Sequence, residues 1–304
     1  MRKHLREILV VGISLLAIYG INSGLTARLD AVIYFASFGN YLKALGLGLV
    51  FLMFTMLPKL RDARIVLLFL QVFILGFLGS EVLYRLFHPK LTALYPDSPY
   101  FLIFYHLDYY FFHRLYQVVP LGALLLLFFS YPRKSLPSYL RFGSLDNCTA
   151  LLRSSRNTWR KVTLFFIGIV LAVFVLYTIF SLLTQTSLVI GRFQQAPLLW
   201  MLIVPIALYG GATALLEESF FRAIFLPVFA GTMPQRGNLY QALFFGTIHF
   251  DAAHPERSLL KLVIFSFIGW IWGKAAQETG GIGGGALMHF AILLVLEMRI
   301  WFFL

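Results

Sequence analysis

The sequence predicts an all-α fold, a polytopic transmembrane helix bundle of about eight to nine spans. Three observations predict it. Of the 304 residues, 60% are hydrophobic and only 12% are charged, too little polar surface to cover a soluble domain. Apolar runs of about 20 residues, the length that crosses roughly 30 Å of hydrocarbon, recur from end to end. Lysines and arginines fall in short clusters between those runs, as juxtamembrane anchors do. The formal charge of +12 is thus spread between spans and not gathered on one face, so no nucleic-acid partner is expected. Cys148 is the only cysteine, which excludes an internal disulfide and a thiolate metal cage.

The first run follows a basic start, with Arg2, Lys3 and Arg6 ahead of the apolar stretch from Ile8 to Tyr19. That pattern imitates a signal peptide. No small-residue cleavage site precedes the next apolar segment, so it reads as an uncleaved first span. Spans are expected near 8–24, 38–58, 65–84, 115–131, 162–184, 197–216, 239–250, 259–276 and 285–304, from apolar runs and their breakers. The seventh is short, hence eight or nine. Lys59, Arg61 and Arg64 separate the second and third spans. Arg133, Lys134, Arg141, Arg153, Arg156, Arg160 and Lys161 fill the gap between the fourth and fifth. Every second gap is basic, which places these gaps and the N-terminus in the cytoplasm.

Two parts are expected. Residues 1–190 hold N-terminal transmembrane spans with no assigned role and a basic cytoplasmic loop, 132–161, whose second half reads as a basic surface helix. Residues 197–304 hold the chemistry. The stretch from Tyr100 to Tyr116 is dense in Tyr and Phe and includes His106, Asp108 and His113. It reads as an aromatic belt at the outer interface. The two histidines lie two helical turns apart, a poor geometry for a shared metal. Asn147-Cys148-Thr149 matches a glycosylation acceptor but falls on the side expected to be cytoplasmic, where it is silent.

Charged residues within a span are costly and call for a reason. The sixth run ends in Glu217-Glu218-Ser219-Phe220-Phe221-Arg222. On a helix Glu218 and Arg222 are four apart, about 40° around the axis, and can pair. Glu217 points about 100° away and is available to another partner. A buried salt-bridge cluster that only fixes packing is the plainer reading, but two carboxylates beside a single Arg fit it poorly. The next run contains Phe244-Phe245-Gly246-Thr247-Ile248-His249, and the last opens with Gly284-Gly285-Ala286-Leu287-Met288-His289. A carboxylate beside an imidazole can activate water, and a second imidazole can stabilise a developing oxyanion. Those parts suit peptide hydrolysis.

The motifs resemble a known family. EESFFR (217–222) resembles its EExxxR motif and FGTIH (245–249) its FxxxH motif, while TGGIGGGALMH (279–289) looks like its Thr-Gly-rich approach to a final histidine. The family is the CAAX-processing and bacteriocin-processing intramembrane peptidases, which includes the type II CAAX prenyl endopeptidases. The resemblance covers roughly residues 197–300. It implies a helical membrane bundle with Glu217 and His249 activating the attacking water and His289 at the oxyanion site. Glu218, Arg222 and Phe245 are the supporting residues. One position departs: the family's Asn or Asp four residues after the last histidine is Leu293 here, which cannot form a hydrogen bond.

The resemblance implies an endopeptidase acting on a membrane-associated or lipidated polypeptide, with the lipid bilayer as its surroundings and no cofactor. Zinc held by Glu217, His249 and His289 is the alternative enzyme reading, but the HExxH spacing that presets a histidine pair is absent. A weakened or inactive family member serving as a scaffold or immunity factor is the alternative of a different class. A transporter would show inverted repeats, and none is found.

Overall fold

The structure, a computed structural model, describes residues 64–87, 113–130, 139–152, 157–184, 196–249 and 255–303, with Gly12, Leu49, Met53 and Met56 as single positions. The expected spans near 8–24 and 38–58 otherwise lie outside the described residues, as do His106 and Asp108. Regular structure among the described residues is helical. In chain order it comprises α1 (Arg64–Phe87), α2 (His113–Tyr116), α3 (Val118–Ser130), α4 (Trp159–Thr184), α5 (Ala196–Glu218), a π-helical segment (Ser219–Phe225), α6 (Leu226–Thr232), α7 (Gly237–Thr247), α8 (Pro255–Thr279) and α9 (Gly283–Phe303). Two stretches among the described residues, Trp159–Thr184 and Arg257–Thr279, are long and apolar enough to cross a bilayer, which fits a membrane protein. Leu164, Phe165, Leu176 and Phe180 on α4 each expose more than half their surface, a coat of large apolar side chains that hydrocarbon covers better than water. The count of eight to nine extends over residues outside those described.

The sixth apolar run, set near 197–216, is helical from Ala196 through Glu217 and Glu218, as the helical pairing of Glu218 with Arg222 requires, and continues through the π segment to Thr232. The helix passes through because its charges meet partners on other elements. All seven residues of the π segment are buried, and such wide turns recur where side chains must be re-aimed for function. The loop expected to carry a basic surface helix holds, among its described residues before α4, only a 3-10 turn at Ala150–Leu152. Its backbone is occupied elsewhere, in pairing with the turn between α8 and α9.

That pairing fixes where α9 begins. The α8 helix stops at Thr279, whose hydroxyl donates to the Ala275 carbonyl at 2.8 Å, and Gly280 follows with φ +73°, the left-handed stop that glycine adopts without strain. The Ile282 and Gly283 N–H groups then donate to the carbonyls of Arg141 and Phe142 at 2.8 and 2.9 Å. The Ser144 N–H donates to the Thr279 carbonyl at 3.0 Å. Helix starts leave N–H groups unpaired, and here a strap from 139–149 takes two near the start of α9. Glu278 anchors the other side of the strap, accepting from the indole of buried Trp159 at 2.8 Å and from the Ala150 N–H at 3.2 Å.

The core lies where α1 meets the π segment and α7. Phe73 of α1 makes edge contacts with Phe220, Phe221, Phe225 and Phe244, at centroid distances of 5.3 to 6.1 Å. Such pairs add about 0.5–1.5 kcal/mol each beyond their area burial. One apolar cluster contains Phe69, Phe73, Leu124 and Trp159 together with Phe220, Phe225, Phe245 and Met288. The N-terminal helices thus share a core with the segment that carries the charged residues.

Candidate active site

The EESFFR motif sits at the junction of α5 and the π segment, and its two carboxylates have different surroundings. Glu218 and Arg222 are fully buried and paired, Nε to Oε2 at 3.2 Å, as their spacing predicts. The other Glu218 oxygen, Oε1, faces Nδ1 of His289 at 3.3 Å. A carboxylate only accepts, so the imidazole presents Nδ1–H to it. The faces of the Arg222 guanidinium rest on rings, with its carbon 4.3 Å from the centroid of Phe245 and 5.2 Å from that of Trp272. Cation–π contact in a desolvated setting is worth about 2 kcal/mol. It offsets part of what burying the charge costs.

Phe245, the first residue of the FGTIH motif, thereby acquires a physical role. Its ring lies under Arg222, 4.8 Å from the His249 ring and 6.2 Å from the His289 ring. One phenyl group spaces the guanidinium and both imidazoles. The glycine run before His289 is explained by the same packing. A Cβ at Gly285 would overlap Glu218 Oε2 and reach Trp272, so the final helix approaches the carboxylate only because position 285 has no side chain.

Glu217 is bracketed. Nη1 of Arg114, on α2, lies 3.5 Å from Oε1, and Nε2 of His289 lies 3.8 Å from Oε2. The Glu217 side chain is 12% exposed, and Oε2 accepts no hydrogen bond among the described residues. His249 stands in the turn just past α7. Its Nδ1–H donates to the Phe245 carbonyl at 2.8 Å, which leaves Nε2 as an acceptor. The ring stacks on Phe265, with centroids 3.8 Å apart and planes 7° apart. Glu217, His249 and His289 lie within electrostatic range of one another.

The structure therefore brings together all six residues expected from the sequence: Glu217, His249, His289, Glu218, Arg222 and Phe245. It adds some that sequence reasoning missed. Arg114 comes from a segment read as an interfacial belt and the edge of the fourth span. Its Nη1 donates to Gln117 Oε1 at 3.0 Å, and its guanidinium carbon lies 5.8 Å from the Tyr209 ring centroid. The available signal was arithmetic: two carboxylates with one Arg leave one charge uncompensated. Leu293 packs its Cβ near Gly210 of α5, beside Phe290, on the side of α9 that faces the helix carrying Glu217. Among the described residues no three His, Cys, Asp or Glu side chains are arranged to hold a metal ion.

Comparison with curated proteins and with solved structures returned no match. A family model described as Type II CAAX prenyl endopeptidase Rce1-like matches residues 196–295, the segment from the start of α5 to within α9 that contains both glutamates, Arg222 and both imidazoles. Over those residues the chain is similar to the Rce1-like type II CAAX prenyl endopeptidases.

Proposed function

We propose that the protein is an intramembrane endopeptidase that hydrolyses a peptide bond of a membrane-associated, prenylated polypeptide with a water activated by Glu217 and His249. The observation that carries this reading is the position of Glu217 Oε2, which accepts no hydrogen bond among the described residues and lies 3.8 Å from His289 Nε2. Glu217 Oε2 and His249 Nε2 are two acceptors, and a water has two protons. Held between them, a water turns its lone pair to the substrate carbonyl, and Glu217 takes the proton as the oxygen attacks. His289, fixed through Nδ1 by Glu218, presents Nε2 to the same region. In its doubly protonated form it donates to the carbonyl oxygen as that becomes an oxyanion, a contact that strengthens in the transition state. Glu217 then passes its proton to the leaving amine. Glu218, Arg222 and Phe245 hold this frame and take no proton.

A zinc-dependent version of the same reaction fits the residues less well. Glu217 and Glu218 are already matched by Arg114 and Arg222. A dication placed among them would meet two guanidiniums at close range, and no donor trio is formed among the described residues. The test of the proposal is Glu217→Gln. Gln keeps the shape of Glu217 but takes no proton at neutral pH. The variant purified in lipid nanodiscs is expected to lose cleavage of a farnesylated CAAX peptide while its melting temperature stays near that of the parent. Undiminished turnover in that variant would sink the mechanism.

A further inference from the structure

Building on the peptidase reading, we infer that Arg114, from outside the family-matched segment, is a positioning residue of the site. It holds the Glu217 carboxylate by Oε1 and so keeps Oε2 turned to the reacting atoms. Four observations carry this. Arg114 Nη1 lies 3.5 Å from Glu217 Oε1, whereas Oε2, which makes no hydrogen bond among the described residues, is the oxygen near His289. The two oxygens of one carboxylate thus have different surroundings. The guanidinium is itself placed by Gln117, whose Oε1 accepts from Nη1 at 3.0 Å, and by Tyr209, whose ring centroid lies 5.8 Å from its carbon. Those anchors lie beside α2 and on α5, so the arginine is held from two sides. Arg222 cannot substitute, because it is fully buried against Glu218, whereas the Arg114 side chain is 23% exposed.

A carboxylate free to spin about its last bond presents either oxygen to water. One held at Oε1 presents Oε2 in nearly every encounter, and geometry supplied before the reaction speeds it. Arginine suits this because its planar fork serves several acceptors at once. Lysine offers a point charge without the fork.

The test uses the full chain in lipid nanodiscs, with an internally quenched farnesylated CAAX peptide as probe and Glu217→Gln as the blank. Arg114→Gln is expected to lower kcat at least tenfold with KM within twofold of the parent, and Arg114→Lys to fall between the two. A thermal cycle over the parent, Arg114→Gln, Glu217→Gln and the double variant runs alongside. Arg114→Gln is expected to lower Tm in the parent but much less in the Glu217→Gln background, where the carboxylate it serves is gone. Equal losses of Tm in both backgrounds would overturn the contact. Coupled Tm losses with unchanged kcat would overturn the positioning role and leave a structural bridge. If the parent cleaves no probe above the blank, the peptidase reading falls and the positioning role with it, while the thermal cycle still decides whether Arg114 serves Glu217.

Discussion

Gly285→Ala sets two effects of opposite sign against each other. In an isolated helix, replacing Gly by Ala stabilises by about 1 kcal/mol. At position 285 the added methyl would overlap Glu218 Oε2 and lie 3.1 Å from the carboxylate carbon and 3.4 Å from Trp272 Cβ. Glu218 cannot swing aside freely, because Arg222 holds Oε2 at 3.2 Å and His289 holds Oε1 at 3.3 Å. Overpacking of a tight site costs about 1–3 kcal/mol, and fully breaking a buried ion pair costs about 3–5 kcal/mol. Partial loosening of that pair on top of the steric term outweighs the propensity gain. We expect a net loss of about 2 kcal/mol, drawn from those ranges, together with lost activity as His289 shifts. Gly211, on α5, has nothing within 4 Å of a would-be Cβ, so Gly211→Ala is expected to gain about 0.5–1 kcal/mol. The assay is reversible unfolding in mixed micelles, run on both variants. Gly285→Ala as stable as Gly211→Ala would refute the close approach of α9 to Glu218.

Three further outcomes follow from the site. Phe245→Leu keeps the volume apolar but removes the ring 4.3 Å from Arg222, and is expected to cost about 1–2 kcal/mol in the same unfolding assay; a loss below a few tenths would show that the ring contributes no cation–π contact. Leu293→Asn adds a donor one turn past His289 on the side of α9 near Gly210, and is expected to raise kcat about tenfold with KM unchanged; an unchanged kcat places the oxyanion away from position 293. Prolonged dialysis against a chelator is expected to leave cleavage of the farnesylated probe intact, whereas activity lost with bound zinc and restored by adding it back would favour the metallopeptidase form.

Local spacing made part of this site legible. Glu218 and Arg222 are one helical turn apart, and a helix fixes such neighbours wherever it forms. The two histidines were legible as chemistry, since an imidazole on an apolar run invites a reason, and their convergence was expected from resemblance. The role of Phe245 was not legible, because nothing in a chain of phenylalanines tells which ring lies under a guanidinium 23 positions earlier. Arg114 was harder still. Its contact with Glu217 depends on how α2 and α5 meet, and the tyrosines and phenylalanines around it suggested a membrane interface. The strap was invisible because its hydrogen bonds are made by backbone, which every residue but proline supplies alike.

The two ion pairs differ in how they reach the membrane. Glu218 and Arg222 travel on the same helix, four residues apart, so they can enter hydrocarbon already neutralised. Glu217 and Arg114 are carried by different helices, and each arrives alone. An unmatched charge beside apolar spans is costly, and neither Glu217 nor Arg114 is compensated until the other is beside it. Glu217 thus gains its counter-charge only once the segment carrying Arg114 has packed beside it, a condition the Glu218–Arg222 pair does not share.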